Sequence, residues 1–296
     1  MESLEETFGP ARQDAKTWNP FVVVRHGIFS NDLPFRQIAS FLGNRFPTAK
    51  IDNQKYDWRD SVVLNAARLA KAILSDRNTK GRALILIGHS MGGLICRVAS
   101  LILNDPTVIA QNLPLFRNYC LLDPNDLQTL QNLSLSTHQP HPANLIVTLA
   151  TPNSGAMLRA QINGLALIAK KIFSTHVTSM NDLTTVRLFR LLQYFSVSTP
   201  VLSISGSGWN RYGKAPASVV LKLAHLAGAL HLPNDMIVED RSVDLKQSIL
   251  QNEVVASSKT KYLHLRLYTD CIDVVHDNIY DHWKVREIVA DCMTRS

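Results

Sequence analysis

The sequence predicts an α/β architecture: a mostly parallel central sheet with helices on both faces. Two observations carry this. Short apolar, β-branched runs alternate along the chain with stretches of helical apolar spacing, the order that builds parallel sheets through helical crossovers. Second, the run Ala83-Leu84-Ile85-Leu86-Ile87 leads straight into Gly88-His89-Ser90-Met91-Gly92-Gly93 and then Leu94-Ile95-Cys96-Arg97-Val98-Ala99. A buried strand, a sharp glycine-bounded turn and a helix are thereby set in succession.

The elements follow in order. Phe21-Val22-Val23-Val24 reads as a buried strand ending at His26-Gly27, and residues 50–54 as a short second strand. Asp60 or Ser61 caps a helix whose apolar positions are Val62, Val63, Ala66, Leu69, Ala70, Ile73 and Leu74. The strand over 83–87 and its helix come next. Residues 105–143, rich in Asn, Pro, Gln and Ser, are too long for an ordinary connection and are read as an insertion with structure of its own. Strands are then expected at 145–150, 199–205 and 261–269, with a closing helix over 281–293. The organisation is an N-terminal extension, 1–20, and a single domain over 21–296. Within it, apolar stretches at 161–173 and 217–232 mark cap segments at about 156–198 and 207–232. Their spacing fits a lid above a site and a plain core helix equally well.

Composition narrows the function classes. The 296 residues, 46% hydrophobic, suffice for a full core. The net charge of +7 comes from scattered basic residues, Lys170-Lys171 being the densest pair. A nucleic-acid footprint needs clustered charge, so nucleic acid is not expected. Mild attraction to an anionic membrane surface or an acidic substrate stays open beside an ordinary solvated surface. Cys96, Cys120, Cys271 and Cys292 lack metal-ligand spacing and suggest no disulfide framework, so free thiols are expected. His138-Gln139-Pro140-His141 reads as a proline-bounded loop without acidic or Cys partners, and neither metal nor cofactor is expected. Residues 1–20 are polar with no apolar h-region, and no run of about 18 apolar residues occurs. The expectation is a soluble cytoplasmic chain, with signal-independent export open.

The chemistry centres on Ser90. Gly-x-Ser-x-Gly between strand and helix raises the hydroxyl above the sheet edge, with the helix N-terminus favouring negative charge beside it. A serine at its free pKa needs a base, and the base an orienting acid. His276, in Asp273-Val274-Val275-His276-Asp277 after the last strand, is the candidate base. His282 falls at a helix start, His264 within a strand, and His225 and His231 in a helical segment. Asp235, in Pro233-Asn234-Asp235-Met236-Ile237-Val238, is the candidate acid, and Asp123, ending Leu121-Leu122, its rival; Asp240, Asp270 and Asp273 are weaker. The oxyanion of acyl transfer needs two N–H donors. Met91, after the nucleophile, and Ile28, after His26-Gly27, fit those places, with Gly27 letting the backbone close in and His26 propping the loop.

His26-Gly27, Tyr56-Asp57-Trp58-Arg59, the Ser90 motif, Thr148-Leu149-Ala150-Thr151-Pro152-Asn153-Ser154-Gly155, Asn234-Asp235-Met236-Ile237-Val238 and the His276 region stand in the order seen in α/β-hydrolase lipases. The chain resembles the group containing lecithin–cholesterol acyltransferase-like enzymes, inositol-deacylase-like lipases and bacterial triacylglycerol lipases. The likeness covers most of residues 21–293 as spaced motifs. It implies an α/β-hydrolase fold, Ser90 as nucleophile, Asp235 as acid, His276 as base, and Ile28 and Met91 as oxyanion donors. The 105–143 insertion departs from compact members, and Ala150 stands where Gly is frequent. The expected activity is serine carboxylic-ester hydrolysis of lipid or other apolar acyl esters through an acyl-enzyme. An acyltransferase using the same triad, and a non-catalytic membrane-surface or interaction module on the same fold, are the alternatives.

Overall fold

The computed structural model describes residues 3–27, 35–119, 122, 124–153, 199–206, 262–267 and 279–296. Six strands form one sheet: β1 (Phe21–Arg25), β2 (Lys50–Asp52), β3 (Leu84–His89), β4 (Leu145–Leu149), β5 (Val201–Gly206) and β6 (Tyr262–Leu267). They lie in the order β2-β1-β3-β4-β5-β6, and every pairing is parallel. All six carboxyl ends therefore share one edge of the sheet.

Alternation along each strand divides the core into two apolar layers. Phe21, Val23, Leu84, Leu86, Ile146 and Val201 face one side, where α3 (Val62–Ser75) and α4 (Met91–Asn104) pack. Val22, Val24, Ile85, Ile87, Leu145, Val147 and Leu202 face the other, against α1 (Leu4–Phe8), α2 (Arg36–Arg45) and the closing helix. Burial on both faces explains why the strands read as continuous apolar runs. Each fully buried Val, Leu or Ile contributes about 2 kcal/mol.

Boundaries differ from expectation where pairing outruns composition. β3 continues two residues past Ile87, because Gly88 registers with Arg25 and His89 with Leu149. β2 stops at Asp52 rather than residue 54. β5 runs from Val201 to Gly206 instead of 199–205. Ser61, not Asp60, caps α3 by accepting from Leu64 N–H at 3.1 Å, while Asp60 pairs with Arg68. Within the insertion, α5 (Val108–Gln111), α6 (Leu113–Tyr119) and α7 (Pro124–Asn132) form, with α7 packed on α3. The closing helix, α8, spans Trp283–Thr294, with the His282 ring as its cap, accepting from Lys284 N–H.

The segment before β1 is built into the core. α1 starts with a reciprocal capping box between Ser3 and Glu6 and buries Phe8. Arg12 and Gln13 donate to the Thr294 carbonyl, and Arg295 donates to that of Gly9 at 2.7 Å. These ties join it to the end of α8. Among the described residues no helix is long and apolar enough to cross a membrane.

Candidate active site

Ser90 stands between β3 and α4 with φ 52° and ψ −124°. That backbone is the mirror image of an extended residue, a region open to glycine and costly by about 1–3 kcal/mol for serine. Ser90 N–H donates to the Leu149 carbonyl at 2.9 Å, and Gly93 N–H to the Ser90 carbonyl at 3.1 Å. The turn is thus pinned to the neighbouring strand on one side and to its own helix on the other. Tight packing forces the turn: a side chain on Gly92 would run into the carbonyl oxygens of Arg25 and His26. Met91 opens α4, so its amide lies at the helix start, ahead of the i→i−4 ladder of hydrogen bonds.

The loop after β1 abuts this turn. A Cβ on Gly27 would lie 2.9 Å from Ser90 Cβ and 3.0 Å from His89 Nδ1, which is why glycine stands there. The buried His26 ring places Nδ1 2.8 Å from the Gly27 carbonyl, which can only accept, so Nδ1 carries the proton. Tyr56 stacks on that ring with centroids 4.3 Å apart and donates its hydroxyl to the His26 carbonyl at 2.6 Å. Burial raises the Tyr56 phenol well above its ordinary range, keeping it a donor. Arg25, at the end of β1, pairs with Asp52 at the end of β2 at 2.9 Å, locking the two strand ends together.

Two further features surround the turn. Arg97, on α4, is buried and donates from Nη1 to Asn153 Oδ1 at 2.9 Å, while its Nε has no partner among the described residues. Burial pushes its guanidinium down to about 10. This ties the helix after Ser90 to the Thr151-Pro152-Asn153 segment after β4, where Ala150 takes the positive φ of 48° that favours glycine. Cys96, beside Arg97, is buried and its thiol is pushed up to about 12, the profile of an inert packing residue.

Of the residues read from sequence, the structure brings Ser90, Met91, His26 and Gly27 together at the carboxyl edge. Ile28, Asp123, Asp235 and His276 lie outside the described residues, as do Lys170-Lys171, Cys120, Cys271, His225, His231, Asp240, Asp270, Asp273 and both cap segments. His264 lies on β6 in register with Ser203. His138 has Nε2 3.3 Å from Ser75 Oγ, and partial burial lowers the pKa of His141. Sequence reasoning gave Arg97 and Tyr56 no role. A lone Arg inside Leu94-Ile95-Cys96-Arg97-Val98-Ala99 was the available signal for the first; the second depends on a contact across thirty residues.

No protein-family model and no curated protein matches the chain. Solved structures do. The mature form of lipase BlEst2 from Bacillus licheniformis aligns at TM-score 0.53 and 17% identity, covering 91% of this chain and 88% of that one. Its propeptide form aligns at 0.56 and 16%, over 95% of this chain and 52%, about half, of that one. The metagenomic carboxyl esterase MGS0156 aligns at 0.57 and 13%, over 97% and 77%. With the parallel sheet and the strand–turn–helix at Ser90, these likenesses establish the α/β-hydrolase fold.

Proposed function

We propose that the chain is a serine carboxylic-ester hydrolase acting on lipid or other apolar acyl esters. The observation that carries this reading is the strained backbone of Ser90, φ 52° and ψ −124°, held against a glycine loop that admits no side chain. Strain of this kind persists where the surrounding structure over-determines it and serves chemistry. In this reading Ser90 Oγ attacks the ester carbonyl carbon as His276 takes its proton, and Asp235 orients and stabilises the resulting imidazolium. The oxyanion accepts from the N–H groups of Met91 and Ile28. Collapse returns the proton to the leaving alcohol and leaves an acyl-enzyme. Water, deprotonated by the same His276, then releases the acid.

Connectivity supports each assignment. Ile28 directly follows Gly27, whose carbonyl is held by His26 Nδ1–H beside the Ser90 turn. His276 follows the carboxyl end of β6 and precedes Tyr280 by four residues, a span of at most about 14 Å. The Tyr280 ring lies 5.2 Å from that of His89, the neighbour of Ser90. Asp235 comes after β5 in chain order, and the carboxyl end of β5 lies on the same edge of the sheet as that of β3. Asp123 instead comes between α6 and α7 in chain order, ahead of β4, and so does not directly follow a sheet strand. The structural neighbours named lipase and carboxyl esterase agree with the reaction class.

The test is turnover of p-nitrophenyl esters. Wild type is expected to hydrolyse them, with loss of about 1,000-fold or more in kcat for Ser90→Ala and His276→Ala. Asp235→Asn is expected to be strongly impaired and Asp123→Asn near wild type. The reverse pattern in the two aspartates would move the acid to residue 123. An inactive, folded wild type against a broad ester panel would contradict the proposal.

A further inference from the structure

Three aromatic rings from distant parts of the chain meet beside Ser90. Phe35 caps α2 and is the first described residue after Gly27. His89 ends β3 and directly precedes Ser90. Tyr280 lies just before α8 and four residues after His276. The centroids of Phe35 and Tyr280 are 4.4 Å apart, those of Phe35 and His89 5.7 Å, and those of His89 and Tyr280 5.2 Å in an edge-to-face contact at 73°. Phe35 is fully buried, His89 nearly so, and Tyr280 partly.

We infer that Tyr280 is a positioning residue: with Phe35 and His89 it registers the chain that leads back to His276, and the start of α2, the first described element after Ile28 in chain order, against the Ser90 turn. The inference rests on the esterase reading and adds to it a device for holding the base in place. Two physical points carry it. Each ring belongs to one of the three segments that must meet for acyl transfer, so one cluster sets all three relative positions. Aromatic rings in edge and face contact have few side-chain torsions and a preferred mutual geometry, so they fix spacing more sharply than aliphatic contacts do. The exposed end of α8 offers no substitute, since its first residue, Trp283, is 64% exposed.

The experiment compares wild type, Tyr280→Phe, Tyr280→Leu and Phe8→Leu. For each, kcat and KM on a p-nitrophenyl ester are measured, together with the second-order rate of inactivation by a fluorophosphonate and the melting temperature. Phe8 lies in the same apolar layer but in α1, which is tied to the end of α8 and packs on β6, and among the described residues it makes no ring contact with Phe35, His89 or Tyr280, so Phe8→Leu gauges loss of apolar packing outside the ring cluster. Tyr280→Leu is expected to lower kcat by about 10- to 100-fold, the loss typical of a misplaced catalytic group. KM should stay within about threefold and inactivation should slow in parallel. Tyr280→Phe keeps the ring and should remain within about threefold of wild type. Phe8→Leu should lower the melting temperature and leave kcat within about twofold. Phe35→Leu removes another ring of the cluster and carries the same comparison should Tyr280→Leu not fold. Folded Tyr280→Leu or Phe35→Leu with wild-type kcat and inactivation rate would overturn the inference while leaving the esterase reading intact. Loss of kcat in Phe8→Leu equal to theirs would do the same. A wild type inert to the fluorophosphonate at Ser90 would overturn both.

Discussion

At the scale of single residues, the backbone of Ser90 is the feature that matters most to the proposed chemistry. Ser90 holds a backbone that only glycine adopts freely, and it does so because three neighbours leave no alternative: the Leu149 carbonyl, the α4 amide ladder and the loop at Gly27. The energetic consequence is testable apart from activity. Ser90→Ala keeps the strain, whereas Ser90→Gly relieves it at the cost of a freer unfolded chain. We expect Ser90→Gly to exceed Ser90→Ala in unfolding free energy by about 1 kcal/mol, both being inactive. Chemical denaturation of the pair measures this, and equal stability would remove the claim of strain. The Ser90 motif was legible in the sequence because a glycine-bounded serine between apolar runs is a local pattern. Arg97 was less so: its helix reads as apolar, and only the position of Asn153 shows what receives its charge.

Among elements, the tie between α4 and the segment after β4 matters most to the site. Arg97 carries a buried charge with one side-chain acceptor among the described residues, Asn153 Oδ1 at 2.9 Å. Removing the acceptor strands the cation, whereas removing both leaves an apolar gap that costs less. Asn153→Ala is expected to destabilise by about 2 kcal/mol, and Arg97→Met combined with Asn153→Ala by less than that single change. Thermal or denaturant unfolding of the set decides it; a fully tolerated Asn153→Ala would show that the contact holds nothing. Elements also show where sequence reading stops. β1, β3 and β4 announce themselves through runs such as Val22-Val23-Val24 because both faces are buried. α2 went unread: only Ile38 and Leu42 of its ten residues are buried, and Phe35 at its cap offers no side-chain acceptor. α1 did carry a local sign, Ser3 followed three residues later by Glu6, but at five residues it depends on tertiary packing of Phe8.

For the whole molecule, the decisive property is that six parallel strands present every carboxyl end on one edge. Chain order alone then assigns neighbours: the chain leaves β1, β3, β5 and β6 at the edge where Ser90 stands. This is why the order of nucleophile, acid and base could be proposed from sequence, and why their separations could not. Distances across the edge depend on contacts spanning tens to hundreds of residues, such as Tyr56 on His26 and Tyr280 on His89, which no local pattern encodes. The same holds for the N-terminal segment, read as an extension yet joined to the last turn of α8 through Gly9, Arg12 and Arg295.

The central claim is that Ser90 is an activated nucleophile. Incubation of the folded protein with a fluorophosphonate, followed by intact-mass measurement and peptide mapping, addresses it most directly. One adduct per chain is expected, on Ser90, formed by wild type and absent in Ser90→Ala. A folded wild type that stays unmodified, or one that carries its adduct on another residue, would contradict it.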